Sequence, residues 1–306
     1  MKIGDFTYPD ISDRLFNIQY DQSRHHVPLT FFKYYSLNYY GVDALVNSYI
    51  YASHPNQLND PFDCNNDIII FDDEDSIRSL LGELYHEVSA NFSHSDFPPR
   101  AFNTIAYKKC GIFSLATNHV HPLMWAHYAG KNGFCIEFDV REFPFEYYGP
   151  FPMNYVKTLP SIKTSQTSIW QALAIQCSVK QSLWSYEDEW RIIVPSPKGL
   201  EMKSYGYWSE NMNIGGEVER KFPYPTKAIK RIILGAEFLS PERITKLTNT
   251  IIQVSDLSDN KLKVLHQIVN KGISTSLLYK QSGGNFGTID VDIQEVNNKS
   301  FIIFEL

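Results

Sequence analysis

The chain has 306 residues, 43% of them hydrophobic and 14% aromatic, and a formal net charge of -6. That length and apolar content suffice for one large domain or two modest ones and argue against a disordered chain. The mild negative charge weighs against a general nucleic-acid binder, and no run of about 18 apolar residues is present to span a membrane.

The opening MKIGDFTYPDISDRL carries acids and no apolar stretch. No secretory signal is expected, and the cytoplasm is the expected compartment. Residues 1–30 read as a polar, irregular extension. Leu29–Tyr35 (LTFFKYY) is the first strand, and GVDALVNSYIYAS predicts a short helix leading into a strand over Ser48–Ala52. HPNQLNDPFD follows as a loop, with a turn at Asn59-Asp60-Pro61. Over residues 74–90, Ile77, Leu80, Leu81, Leu84 and Val88 recur at helical spacing, and 102–107 continues as helix. CGIFSLA is a short strand, HPLMWAHYAG a short helix begun at Pro122, and GFCIEFDV a half-buried strand.

MNYVKT predicts a strand, SIWQALAIQCSVKQ a helix, and the second half of WSYEDEWRIIVP a strand ended by Pro195. Residues 196–225 form a long insertion or hairpin. AIKRIILG is a strand, and Ser240-Pro241-Glu242 is expected to open a helix running to about Thr250. A helix near 258–270 precedes three β-like runs, STSLLYK, FGTIDVDIQEV and SFIIFEL.

Several groups of residues carry chemistry. Glu187-Asp188-Glu189 lies at the entry to IIVP. On a strand, Glu187 and Glu189 would share one face, with Asp188 and Trp190 on the other. Two carboxylates so placed raise each other's pKa and suit acid–base work or the stabilisation of positive charge. The plain alternative is a solvated strand end bridged to Arg191 or Lys180. In LMWAHYAGKNGFCIEFD, His127 and Tyr128 crowd beside Met124 and Trp125; His127 suits a base or a phosphate donor, or else is a packed helical histidine. Lys33 sits inside an apolar strand, so it reaches the edge or meets an anion, with Tyr34 or Tyr35 beside it. The four cysteines, at 64, 110, 135 and 177, have no metal or redox spacing and read as reduced, buried thiols. No P-loop, nucleophile elbow or dinucleotide fingerprint is present.

In order, FKYYSL, ASHPNQLNDPFD, CGIFSLA, LMWAHYAGKNGFCIEFD, WSYEDEWRII and AIKRIILG resemble the bacterial family known as domain of unknown function 2971. The resemblance spans residues 31–235 and leaves 236–306 as a C-terminal helical and β extension. The order of a basic residue on an early strand, a Ser on a middle strand and Glu-x-Glu before a late strand is also similar, more distantly, to ADP-ribosyltransferases. That similarity implies an α+β fold, a mixed or antiparallel split sheet flanked by helices, and NAD as the cofactor. By position, Lys33 takes the NAD-holding role and Ser114 the ribose pocket. Glu189 becomes catalytic and Glu187 orients the acceptor, while Tyr34 or Tyr128 stacks on nicotinamide. Two departures from the pattern are a Lys where Arg or His is usual, and Ala116 where a second hydroxyl is usual.

The implied activity is that of a toxin-like effector in bacterial conflict or phage defence, with a possible antitoxin partner. Its acceptor would be RNA or DNA, if Lys108, Lys109, Lys227, Lys230 and Arg231 line a groove, or a protein. The alternatives are a metal-assisted nuclease using Asp60, Asp63, Glu187 and Glu189, and a non-catalytic sensor or binding module.

Overall fold

A computed structural model describes residues 1–10, 17–64, 66–81, 111–194, 220–240 and 242–306. The expectations for 82–110 and for most of 196–225, including Cys110, Lys108 and Lys109, fall outside these residues. The chain divides into two compact units: Met1–Val27, Ala52–Ser114 and Glu146–Lys221 form the first; Pro28–Tyr51, Leu115–Phe145 and Phe222–Leu306 form the second.

The first unit is organised round α3 (Ile169–Ser178), buried on every side from Gln171 to Ser178. A helix apolar all round belongs in an interior. Ser168 caps it by accepting from the Gln171 amide, and Ala172, Leu173, Ile175 and Cys177 pack with Phe6, Tyr8, Ile69, Ile112 and Ile193. The buried amides of Gln171 and Gln176 donate to the carbonyls of Tyr8 and Cys64, at 2.6 and 2.7 Å. Short strands surround this core. β1 (Lys2–Ile3) pairs with β2 (Phe6–Thr7), and β5 (Ile69–Ile70), just before α2 (Glu74–Leu81), runs parallel to β10 (Ile162–Lys163). β12 (Glu189–Val194) lies between β8 (Tyr148–Pro152) and β6 (Gly111–Ala116), whose first four residues belong to this unit.

One boundary differs from expectation in a way that matters for the site. The predicted helix over 168–181 stops at Ser178, and Val179–Gln181 is β11, parallel to β9 (Asn154–Val156) with Lys180 opposite Tyr155. Ser178 turns its hydroxyl back onto the Ala174 carbonyl at 2.6 Å, and β-branched Val179 begins extended chain.

The second unit holds a mixed sheet. Its order is β15 (Arg243–Lys246), β16 (Ile251–Ser255), β19 (Ser300–Glu305), β18 (Phe286–Asn297), β17 (Thr275–Lys280), β14 (Ile229–Leu234), β7 (Phe134–Phe138) and β3 (Phe31–Tyr35). Phe32 of β3 also pairs with Ala116 at the end of β6. β14 and β17 run parallel, and the other named pairs antiparallel. Helices α1 (Tyr39–Val46) and α4 (Asp259–Lys271) pack on one another, and β4 (Tyr49–Tyr51) pairs with β13 (Lys221–Pro223).

The combination of helices with a mixed sheet agrees with the α+β expectation. Two readings are corrected. The segment after Ser240 is a β-hairpin, not a helix: Ile244 pairs with Val254, Thr245 with Gln253 and Lys246 with Ile252 across a turn, and β-branched residues on both arms favour strands. β7 is buried on both faces, not half-buried, because it is an inner strand between β3 and β14.

Candidate functional site

Lys180 and Arg191 are the centre of a buried charge cluster in the first unit. Lys180 is carried in by β11 and Arg191 by β12. Asp63 comes from the turn that Asp60 sets up, where Asp60 Oδ1 accepts from the Phe62 amide at 2.9 Å. Glu187 ends a 3-10 helix over Ser182–Glu187, and Glu189 opens β12. No side chain of the five is more than 5% exposed. The Lys180 ammonium lies 2.5 Å from Glu187 Oε2, 3.0 Å from Glu189 Oε2 and 3.4 Å from Asp63 Oδ2. Arg191 gives Nε to Glu189 Oε1 at 2.7 Å and Nη2 to Glu189 Oε2 at 3.2 Å. Its Nη1 donates to Asp63 Oδ1 and to the Cys177 carbonyl, each at 2.9 Å, and Nη2 also donates to Asp63 Oδ2.

The geometry corrects the picture of two glutamates on one strand face. Glu187 belongs to the helical turn, and Asp188 between them adopts a left-handed backbone, φ 44° and ψ 49°. That kink brings Glu187 and Glu189 to the same ammonium and leaves Asp188 exposed, pointing away as expected. The rise in pKa expected of paired carboxylates does not occur at Glu189. Burial raises the Glu189 carboxyl, but Arg191 and Lys180, with hydrogen bonds from Arg191 and Ser114, outweigh it and hold the group well below the usual range. Burial likewise draws Lys180 down, and Glu189, Asp63 and Glu187 outweigh it and hold the ammonium above its ordinary value, against Arg191. The plain alternative of a solvated end is half right: the bridges to Lys180 and Arg191 exist, but they are buried.

Tyr155 reaches the cluster from β9, its hydroxyl accepting from the Glu189 amide at 3.0 Å, and burial foremost raises its pKa. Cys64 lies 3.5 Å from Arg191 Nη1; burial raises its thiol far above the usual value, so it is an inert thiol, as composition suggested. Cys135 and Cys177 are also buried thiols outside any disulfide.

The remaining expected residues lie in the second unit. Lys33 is half-buried in β3, opposite Ile136. Tyr34 is buried: its hydroxyl donates to the Asn118 carbonyl at 2.6 Å and its ring meets Trp125 edge-on at 5.3 Å. Its ring is therefore core, which leaves Tyr128 as the partly exposed ring. His127 and Tyr128 lie on a π-helical turn, Trp125–Ala129, closed by the Gly130 amide donating to the Trp125 carbonyl at 2.7 Å. Such turns recur at functional sites. Gly133 follows because a Cβ there would stand 2.1 Å from the Ala129 carbonyl oxygen and 2.4 Å from that of Tyr35.

The basic groove is not supported by its described members. Lys227 pairs with Glu142, Lys230 lies 3.5 Å from Asp139, and Arg231 lies 2.9 Å from Glu137. Among the described residues no group of three or more His, Cys, Asp or Glu is arranged to hold a metal ion. Asp63, Glu187 and Glu189 do converge, but on two cations.

Sequence reasoning named Lys180 and Arg191 only as possible bridge partners. The signal that finds Arg191 is the one applied to Lys33: a cation inside an apolar run, WRIIV, demands an anion; Lys180, in the polar stretch SVKQS, carries no such signal.

The model of the family DUF2971, a protein of unknown function, matches residues 124–192, which supports the resemblance read from the sequence. The matched segment includes the π-helical turn, Lys180, Glu187, Glu189 and Arg191. No curated protein and no solved structure matches the chain. No helix of the described residues is long and apolar enough to cross a membrane.

Proposed function

We propose that the chain is an NAD-dependent ADP-ribosyltransferase acting on a macromolecular acceptor, with Glu189 as its catalytic carboxylate. The observation that supports this is the state of Glu189: a carboxylate held ionised at the start of a strand, with a hydrogen bond from Ser114. These are two of the residues that the resemblance assigns to one site. The residue types fit the nicotinamide end of NAD, since an ionised carboxylate and a neighbouring hydroxyl are what that end requires. NAD, when bound, supplies a nicotinamide–ribose bond whose cleavage leaves positive charge on the ribose. Glu189, kept unprotonated by Arg191 and Lys180, stabilises that charge, and Ser114 orients the carboxylate. Glu187 is the proposed acceptor-side residue. The setting we propose, bacterial conflict or phage defence with an antitoxin partner, follows from the resemblance alone.

The test is incubation of the native chain and Glu189→Gln with cell extract and NAD labelled in its adenylate. Label should enter RNA, DNA or protein with the native chain and fall about 100- to 1,000-fold with the variant. Full labelling by the variant would sink the role of Glu189, and a native chain that never consumes NAD would sink the activity.

A second reading, a non-catalytic binding module, is favoured by a different observation. Glu189 is only 5% exposed and both its oxygens are bound by protein cations. In that case the cluster is a structural staple. Glu189→Gln would then lower the melting temperature while neither protein turned over NAD.

A further inference from the structure

We propose that Lys180 is a positioning residue for Glu189, its ammonium fixing the glutamate carboxylate while Asp63 and Glu187 fix the ammonium. As a statement about turnover this rests on the ADP-ribosyltransferase reading; as a statement about the Glu189 carboxylate it stands apart from it.

The geometry separates the tasks of the two cations. Arg191 is spent on fastening: its donors engage both oxygens of Asp63, both oxygens of Glu189 and the Cys177 carbonyl. It ties β12 to the 63–64 turn and to the end of α3. Lys180 is 2% exposed and its ammonium meets three carboxylates brought by three different segments. A compact ammonium with three rotatable donors can serve three acceptors, whereas a planar guanidinium is confined to its fork. Trp184, three residues after β11, places its ring 5.1 Å from the ammonium and adds a cation–π contact.

The groups that face Glu189 are Lys180 from β11, Arg191 from its own strand, Tyr155 from β9, Ser114 from β6, Glu187 from the 3-10 turn, and Asp63 with Cys64 from the loop. Without Lys180, three carboxylates would share one arginine. Glu189 and Glu187 would then repel each other across the place the ammonium holds, and the proton affinity of Glu189 would rise.

The test uses the full chain with 13C-labelled glutamate carboxyls, as native, Lys180→Met and Lys180→Arg. Glu189 of the native chain should stay ionised to the lowest pH at which the fold survives. In Lys180→Met its proton affinity should rise about 10- to 1,000-fold, the shift that a lost neighbouring charge produces. The acid limb of NAD cleavage should move by the same factor, with kcat lowered and KM for NAD unchanged. Lys180→Arg should return the limb toward native. A folded Lys180→Met with an unmoved Glu189 titration overturns the proposal, and so does lost activity with an unmoved pH profile. Should Lys180→Met fail to fold, the native 15N-labelled ammonium decides. A slowly exchanging Lys180 signal correlated with the Glu189 carboxyl carbon supports the proposal, and its absence overturns it. If the native chain consumes no NAD, the enzymatic reading fails while the titration still judges Lys180.

Discussion

Arg191 is fully buried with every donor group engaged, so its neighbours cannot relax into water when it is lost. Breaking a buried ion pair from one side costs about 3–5 kcal/mol, because a charge is left behind. Arg191→Met should therefore lower unfolding free energy by about that amount in a urea titration. The pH dependence follows from the two directions of shift. The Glu189 carboxyl is held below its ordinary value, so its contribution is complete above about pH 5, past the unfolded value of about 4.3, and is lost as pH falls toward the folded value. Lys180 is held above its ordinary value, so its contribution is complete below about pH 10 and is lost as pH rises through the folded value. Urea midpoints should be flat between those limits and fall on the acid side, and Glu189→Gln should flatten the acid arm. At this scale the sequence disclosed charges but not their pairing. EDEWR shows three acids and an arginine, and nothing in it says that Asp63, 128 residues from Arg191, completes the set.

Elements were legible where periodicity and apolar runs agreed. β3, α1, β6, β12, β14, α4 and the three strands after it stand close to where their patterns put them. Reading failed at transitions, where local pattern is silent about the partner. Val179–Gln181 follows a helix and reads as its last turn, yet it is drawn into pairing with β9. At Glu187–Glu189 the assumption of continuous strand hid the change from 3-10 turn to strand, which depends on the backbone of Asp188. Left-handed backbone is tolerated by Gly and Asp and penalised in most other residues by roughly 1–2 kcal/mol. Asp188→Gly should leave the melting temperature nearly unchanged, and Asp188→Val should lower it by an amount matching that penalty. Equal midpoints for the two variants would show that the kink is not needed.

At the scale of the whole molecule, β14 takes β17 as its parallel neighbour, and the sheet of the second unit runs on from there through β18 and β19 to β16. A chain ending after Gly235 would leave β14 with a bare edge and the second unit without most of its sheet. Such a truncation should yield no cooperative thermal transition for that unit by calorimetry, whereas a retained transition would mean that residues 236–306 are dispensable to it. Patterns within 15 residues could suggest the strands of this sheet but not their order, because the pairing of β7 with β14 joins residues about a hundred positions apart.

The chain passes from one unit to the other five times. Asp63 and Ser114 come from the middle segment of the first unit, and Lys180, Glu187, Glu189 and Arg191 from its last. A gene so interleaved resists shuffling. No single crossover between two such genes can exchange one unit and leave the other whole, and a fragment cut to carry the charged cluster takes pieces of both. A transplant of the charged cluster must carry at least residues 63–191, and with them the Leu115–Phe145 segment of the second unit.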